Sequence, residues 1–121
     1  MRYVCLVYFD PRKVFDRSPE GEAVLADAGR LTAELKASGH LIASEALQLP
    51  AETMTVQVRD GKMSATDGPF METKEMLGGF ILIEARDLNE AVQIGARIPF
   101  ARVGHVEVRP VVDLSQPRPE L

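Results

Sequence analysis

The chain has 121 residues, of which 45% are hydrophobic and 26% charged, and its formal net charge is −4. These values are typical of a single globular domain, and the scattered basic residues argue against nucleic-acid binding. The lone Cys5 excludes an intrachain disulfide and a cysteine zinc cluster. No apolar run reaches the roughly 18 residues of a membrane span, and none predicts a secretory signal. We therefore expect a cytoplasmic protein without a nucleic-acid or membrane partner.

Apolar patterning predicts the first three elements of the chain. Residues Arg2–Phe9 are almost continuously apolar, which is typical of a strand covered on both faces. Ser18 followed by Pro19 predicts the start of a helix, and Gly39 predicts its end. His40–Leu47 then predicts a second strand.

The middle of the chain predicts a hairpin that interrupts the main pattern. Met54–Arg59 and Lys62–Thr66 are strand candidates, and the Asp60-Gly61 pair between them suits the positive φ values of a type I′ turn. We interpret this ribbon as an insertion.

The last part of the chain predicts a strand, a helix and a strand. Phe80–Glu84 is strongly apolar, Asp87 is suited to cap a helix that Pro99 ends, and Gly104–Val111 alternates polar and apolar residues. We expect one domain over residues 1–112 and a loosely ordered tail over residues 113–121. The inner face of the second helix is predicted to carry Leu88, Ala91, Gly95 and Ile98.

Without the hairpin, the element order is β-α-β-β-α-β, which predicts an α+β ferredoxin-like subunit with both helices on one face of the sheet. The strands are apolar on both faces, so the face without helices requires a cover. A second copy supplies it most simply, pairing two subunits as a dimeric α/β barrel with a lumen between the sheets. An alternative is that the hairpin and the tail fold over this face within one subunit.

A longer motif supports this fold. Residues Asp67–Phe80 read DGPFMETKEMLGGF, and the segments Ser44–Gln48 and Val106–Pro110 complete a pattern that covers nearly the whole chain. The chain thus resembles the YCII-related DGPF family. This resemblance implies a ferredoxin-like subunit and a dimeric barrel. The resemblance also implies two possible functions. Some distant relatives look like lyases or dehydrochlorinases that act on small cyclic organic acids with a His–Asp pair. DGPF proteins are often encoded beside extracytoplasmic-function sigma factors, so a sigma factor is a candidate partner.

The DGPF segment itself predicts a tight turn. We expect Asp67 to accept backbone hydrogen bonds and Phe70 to be an apolar anchor. The loop either closes one end of the barrel or lines a ligand pocket. Gly78-Gly79 predicts a bulge or a close backbone approach.

Charged residues near the second half of the chain are the candidates for chemistry. Residues 72–75 are expected to form one helical turn, in which Lys74 either binds an anionic substrate or lies in solvent. Glu107 and Arg109 lie about 6.6 Å apart along one strand face, which we predict to be the lumen face because Val106 and Val108 suit the helix side. They form either an ion-pair network across the dimer or a general base with an anchor for an acidic substrate.

Two hypotheses follow from these residues. The first is an enzyme that transfers a proton on a small organic acid, as an isomerase or lyase does, without a metal or other cofactor. The second is a non-catalytic binding or regulatory dimer. The histidines are assigned lesser roles, His105 at the barrel rim and His40 at the end of the first helix. For the enzyme, the catalytic candidates are Asp67, Glu107 and Glu45, and the substrate-binding candidates are Lys74, Arg109, Phe70, Glu72 and Tyr8.

Overall fold

A computed structural model describes residues 1–120, so Leu121, the last residue of the predicted tail, lies outside the described residues. Six strands and three helices follow one another, with short 3-10 turns at Pro50–Glu52 and Pro99–Arg102. In chain order they are β1 (Arg2–Phe9), α1 (Pro11–Val14), α2 (Pro19–Ala37), β2 (Leu41–Ala46), β3 (Met54–Arg59), β4 (Lys62–Asp67), β5 (Met76–Glu84), α3 (Leu88–Arg97) and β6 (Gly104–Pro110).

Four strands form the main sheet in the order β2-β5-β1-β6, and each neighbouring pair is antiparallel. This is the strand order of a ferredoxin-like fold, which confirms the predicted subunit. The β3–β4 hairpin forms a separate two-stranded sheet, as expected of an insertion. Its turn has positive φ values at Asp60 (52°) and Gly61 (72°), which confirms the predicted turn geometry.

The core lies between one face of the sheet and the two long helices. Alternate β1 side chains, from Tyr3 to Phe9, are buried together with Leu31 and Leu35 of α2 and Ala91 of α3. Burying a large apolar side chain contributes about 1.5–3 kcal/mol. The core therefore holds both helices on the same face, as right-handed crossovers require.

The helix starts follow the predicted caps. Ser18 Oγ accepts a hydrogen bond from the Gly21 amide (3.0 Å), and the Asp87 carboxylate accepts one from the Glu90 amide (2.9 Å). The predicted inner face of α3 is wrong at Leu88, which is exposed, because this residue begins the helix before it crosses the sheet. Ile94 is buried instead and continues the stripe toward the end of α3.

The short helix α1 is not anticipated by the sequence pattern. Asp10 caps it by accepting hydrogen bonds from the Arg12 amide (3.0 Å) and from the Arg12 guanidinium (3.1 Å to each carboxylate oxygen). Val14 is fully buried at its end. A helix of four residues has too little apolar periodicity to be recognised from the sequence.

The opposite face of the sheet, which we call the open face, carries no helix. Strand register puts Val4 opposite Leu82 and Leu6 opposite Phe80 at its centre, and all four side chains are half-buried. The β6 residues on this face are polar, whereas Val106 and Val108 pack against the core. Glu107 and Arg109 therefore lie on the open face, away from the helix side of β6, which is the side of the strand on which they were predicted.

Neither the hairpin nor the tail covers the open face closely within one subunit. Every side chain of β4 is exposed, and so is every described side chain from residue 111 onward. The described helices include none that is both long and apolar enough to cross a membrane.

Candidate functional site

An open cleft of about 930 Å³ lies at one end of the open face. Its walls come from two chain segments, residues 47–53 before the hairpin and residues 68–73 after it, apart from Phe70. Tyr8, Met76 and Leu77 complete the lining. The volume and the mainly apolar lining are those of a small-molecule site.

The two walls are joined at the base of the hairpin by backbone contacts of Gly68. Its amide donates to the Thr53 carbonyl (2.7 Å), and its carbonyl accepts from Thr55 Oγ1 (2.7 Å). Gly68 has φ +88°, a value that side-chain-bearing residues rarely adopt. The predicted hydrogen bonds to Asp67 are not formed in the described part of the chain, and Phe70 is 76% exposed, so it is no anchor. The loop is held by backbone hydrogen bonds, which need neither of those side chains.

Gly78 and Gly79 lie at a bulge of β5 beside the floor of the cleft. The β1–β5 register shifts between Val7 and Tyr8, which is the predicted bulge. A Cβ on Gly78 would lie 2.6 Å from Cζ of Phe9, and one on Gly79 would lie 2.7 Å from the Glu45 carbonyl oxygen. The bulge brings Leu77 opposite Tyr8, at the floor.

A histidine–carboxylate pair stands at the edge of this floor. His105 Nδ1 lies 2.6 Å from Oε1 of Glu75, and the imidazole stacks on the Tyr8 ring with 4.7 Å between centroids and 4° between planes. β6 places His105 directly opposite Tyr8 on β1, and Glu75 immediately precedes β5 on the other side of β1. An ionised carboxylate only accepts hydrogen bonds, so the contact requires a proton on Nδ1, and in this tautomer of the neutral imidazole the lone pair is on Nε2.

The charges of Glu107 and Arg109 act on the same phenol. Partial burial raises the pKa of Tyr8, Glu107 raises it further by hydrogen bonding and by its charge, and Arg109 lowers it. The phenol therefore keeps its proton at neutral pH and can donate it to a hydrogen bond. Within residues 1–120, neither Glu107 nor Arg109 forms an ion pair with a neighbour.

Comparison with known proteins places the chain in a family. The family model of the YCII-related domain matches residues 1–115. The chain belongs to the YCII-related family. This confirms the resemblance inferred from its DGPF and LGG segments. An uncharacterized protein of Rhizobium meliloti (strain 1021) is 32% identical to it over 114 residues, 92% of each chain.

One solved structure is similar to the YCII-related chain over most of its length. It is 5-chloro-2-hydroxyhydroquinone dehydrochlorinase (TftG) from Burkholderia phenoliruptrix AC1100, in complex with 2,5-dihydroxybenzoquinone. The TM-score is 0.48 and the identity 17%, with 93% of this chain and 94% of that chain covered.

The predicted site residues of the YCII-related chain do not all converge. Glu45 shares the open face with Glu107, but the row Glu45–Phe80–Leu6–Glu107 spans three strand spacings, about 14 Å. Asp67 lies at the hairpin base, away from the β6 residues. Three of the predicted residues, Tyr8, Glu107 and Arg109, lie together.

The charged segment after DGPF has a different structure from the one expected. Residues 72–75 are bent and extended, so the predicted helical turn is wrong; Thr73 Oγ1 donates to the Glu75 carbonyl (2.6 Å) instead. Glu72 lines the cleft. Lys74 is exposed, and its charge helps to lower the pKa of Asp10 after the hydrogen bonds from Arg12.

Sequence reasoning missed the contact of Glu75 with His105 and assigned His105 only a position at the rim. The rim position expected for His105 agrees with its partly exposed side chain. The signal for His105 was the alternation of side chains along a strand, which puts His105 on the same face of β6 as Glu107. Tyr8 lies on the open face of β1, next to this face. Glu75 had no such signal, because it lies in an irregular segment.

Proposed function

We propose that this YCII-related protein is a cytoplasmic homodimeric enzyme that moves a proton on a small organic acid, in an isomerase or lyase type of reaction. The observation that carries the proposal is the 2.6 Å contact between Glu75 and His105 beside a cleft floored by Tyr8. Imidazole is the side chain that takes up and releases protons near neutral pH. The carboxylate on Nδ1 holds the tautomer in which Nε2 can act as a base.

Each neighbouring side chain has a role in this proposal. Nε2 of His105 removes a proton from a carbon next to a carbonyl or carboxyl group, and the electron pair moves to the oxygen of that group. The Tyr8 phenol donates a hydrogen bond to this oxygen as it becomes negative. Among residues 1–120 Arg109 has no carboxylate partner, and its guanidinium has the geometry to bind the carboxylate of the substrate. Glu107 lies on the same strand face as the phenol, and its charge helps to keep the phenol protonated.

The dimer is part of the same proposal. Val4, Leu6, Phe80 and Leu82 form an apolar strip on the open face, and isolated monomers rarely leave extended apolar strips uncovered. A second copy related by a two-fold axis would cover the strip and keep water from the site.

A non-catalytic binding or regulatory dimer is the second candidate. Phe70 and Met71 next to the cleft are 76% and 69% exposed, which favours an apolar contact with a protein. The partner suggested by the family resemblance is an extracytoplasmic-function sigma factor. Binding of a purified sigma factor that is lost on Phe70→Ser, together with no turnover of any acid, would favour this candidate.

Hydrogen exchange tests the catalytic proposal even when the reaction product is unidentified. Small 2-oxo, 2-hydroxy and ring carboxylic acids are incubated with the protein in D₂O, and loss of each C–H signal is followed by NMR. We expect exchange with at least one acid, slowed about 10²–10⁴-fold by His105→Ala and by a smaller factor in Glu75→Gln.

His40→Ala is the matched control for the exchange experiment. His40 bonds to Ser38 at the end of α2 (2.7 Å) and faces Glu90 of α3 (3.6 Å), so it lies away from the cleft. Its removal is expected to leave the exchange rate unchanged. An unchanged rate in His105→Ala would refute the proposed base.

A further inference from the structure

The β3–β4 hairpin turns its apolar side chains toward solvent. Val56, Val58 and Met63 share one face and are 60%, 58% and 67% exposed. On the other face of β3, the polar Thr55 and Gln57 are half-buried. A two-stranded sheet with one solvated face normally has the opposite distribution, because polar groups prefer water. This distribution indicates that the apolar face contacts another surface.

The hairpin also lacks support from the rest of its own subunit. Its two strands hydrogen-bond with each other and not with the main sheet. A two-stranded hairpin alone is at best marginally stable in water. With Met54, the apolar face exposes on the order of 400 Å², about as much as the largest apolar patch of a typical monomer.

We propose that the β3–β4 hairpin is an arm that lies against a second copy of this chain and thereby fixes the walls of the cleft. This inference rests on the dimer of the proposed function and adds the element that holds it together. Two arms would bury roughly 800 Å² of the 1,200–2,000 Å² in a stable interface. The apolar strips of the two open faces supply the remaining area.

A second copy fits the arm better than an unrelated protein does. Val56, Val58, Met63 and Ala65 make the outer part of the arm face uncharged, and the carboxylate on this face, Asp67, lies at the hairpin base opposite Met54. Two chains that each have a net charge of −4 can therefore meet along the outer part of the arm without repulsion. The same chain also presents an uncovered apolar strip on its open face. A two-fold axis satisfies both surfaces with one kind of subunit.

The arm is connected directly to the site. The chain enters β3 from one cleft wall and leaves β4 into the other, and the hydrogen bonds among Thr53, Thr55 and Gly68 tie the two walls at the hairpin base. A displacement of the arm therefore moves both walls. The cleft has its binding geometry only when the arm is held by the partner.

Charge placed on either face of the arm tests this inference. The double variant Val56→Lys with Val58→Lys buries two ammonium groups in the proposed contact, whereas Gln57→Lys with Ser64→Lys adds the same charge to the other face. Sedimentation equilibrium should show a dimer Kd at least 100-fold higher for the first variant and within about 3-fold of the unsubstituted protein for the second. The single variant Met63→Thr adds no charge and should raise the dimer Kd about 5-fold to 10-fold. It tests the same contact if the double variant does not fold.

The cleft is followed separately through ¹³C-methyl methionine signals. Met71 and Met76 line the cleft, and Met1 is remote from it. We expect the signals of Met71 and Met76 to shift in the Val56/Val58 variant and to stay in place in the control. An unchanged dimer Kd in both Val56/Val58 and Met63 variants would overturn the inference, and so would loss of the dimer with unshifted cleft signals. A monomeric unsubstituted protein would instead refute the dimer of the proposed function, and the exchange experiment reports on His105 independently.

Discussion

Replacing Gly104 with alanine disturbs the place where the fold builds the site. Gly104 begins β6 and pairs with Phe9 of β1. A Cβ at this position would lie 2.9 Å from Cα of Phe9 and closer still to the carbonyl oxygen of Tyr8. Both atoms belong to the backbone, so no side-chain rotation can relieve the overlap. β6 must move away from β1 at the pair formed by Tyr8 and His105.

The cost of this movement follows from the contacts. Overpacking typically costs 1–3 kcal/mol, and a clash with backbone belongs at the upper end, so we expect Gly104→Ala to lower the free energy of unfolding by about 3 kcal/mol. At about 4 °C per kcal/mol for a domain of this size, the Tm falls by about 12 °C. The stack of Tyr8 on His105 opens as well, so hydrogen exchange on the substrate slows.

Urea unfolding followed by far-ultraviolet circular dichroism measures this loss. Gly29→Ala is the matched control, because Gly29 lies within α2 and an added Cβ would meet no atom within 4 Å. That variant should be up to about 1 kcal/mol more stable than the unsubstituted protein. A Gly104→Ala protein whose free energy of unfolding lies within about 0.5 kcal/mol of that of the unsubstituted protein would show that β6 and β1 are not in this close contact.

Three further predictions concern the core and the caps. Burial raises the pKa of the Cys5 thiol from 9.0 to about 11. Between these pH values the thiol ionises in the unfolded chain but not in the folded one. The contribution of Cys5 to the free energy of unfolding is therefore fully present below pH 9 and falls by about 3 kcal/mol as the pH rises toward 11. Urea titrations of Cys5→Ala should lack this alkaline loss. Hydrogen bonds from the Arg12 side chain and amide hold the pKa of Asp10 below its usual 3.8, so the stability they contribute is present above pH 3.8 and is lost as the pH falls further. Acid unfolding of Asp10→Asn, followed by circular dichroism, should show a smaller loss over that range. Asp87→Ala removes the cap bond to the Glu90 amide and should lower the unfolding free energy by about 1 kcal/mol in urea.

Much of the fold could be predicted because its signals are local. A cap such as Ser18, the Asp60-Gly61 turn and the alternation of β6 each lie within a few residues, and each acts through backbone geometry that depends little on the rest of the chain. The short helix α1 escaped prediction because four residues are too few to show an apolar period, and the burial of Val14 arises only in the folded chain.

The site could be predicted only in part. Alternation along β6 puts Glu107 and Arg109 on the face away from Val106 and Val108, as predicted, whereas the sequence indicated Tyr8 only as a substrate-binding candidate. The partnership of Glu75 with His105 joins residues 30 positions apart and depends on the bulge at Gly78, which sets where the chain enters β5. For Glu45, the alternation of side chains along β2 gives the face of the sheet. It does not give the distance from Glu45 to Glu107, which lies three strands away across the sheet.

The most direct test of the proposed site is a long-range ¹H–¹⁵N NMR spectrum of the two imidazoles while a small aromatic carboxylate, benzoate, is added. We expect His105 to carry its proton on Nδ1 and its Nε2 signal to shift with benzoate, and we expect this shift to be lost in Arg109→Ala. His40 serves as the internal control and should not respond. A proton on Nε2 of free His105, or equal responses of the two histidines, would rule out the proposed site.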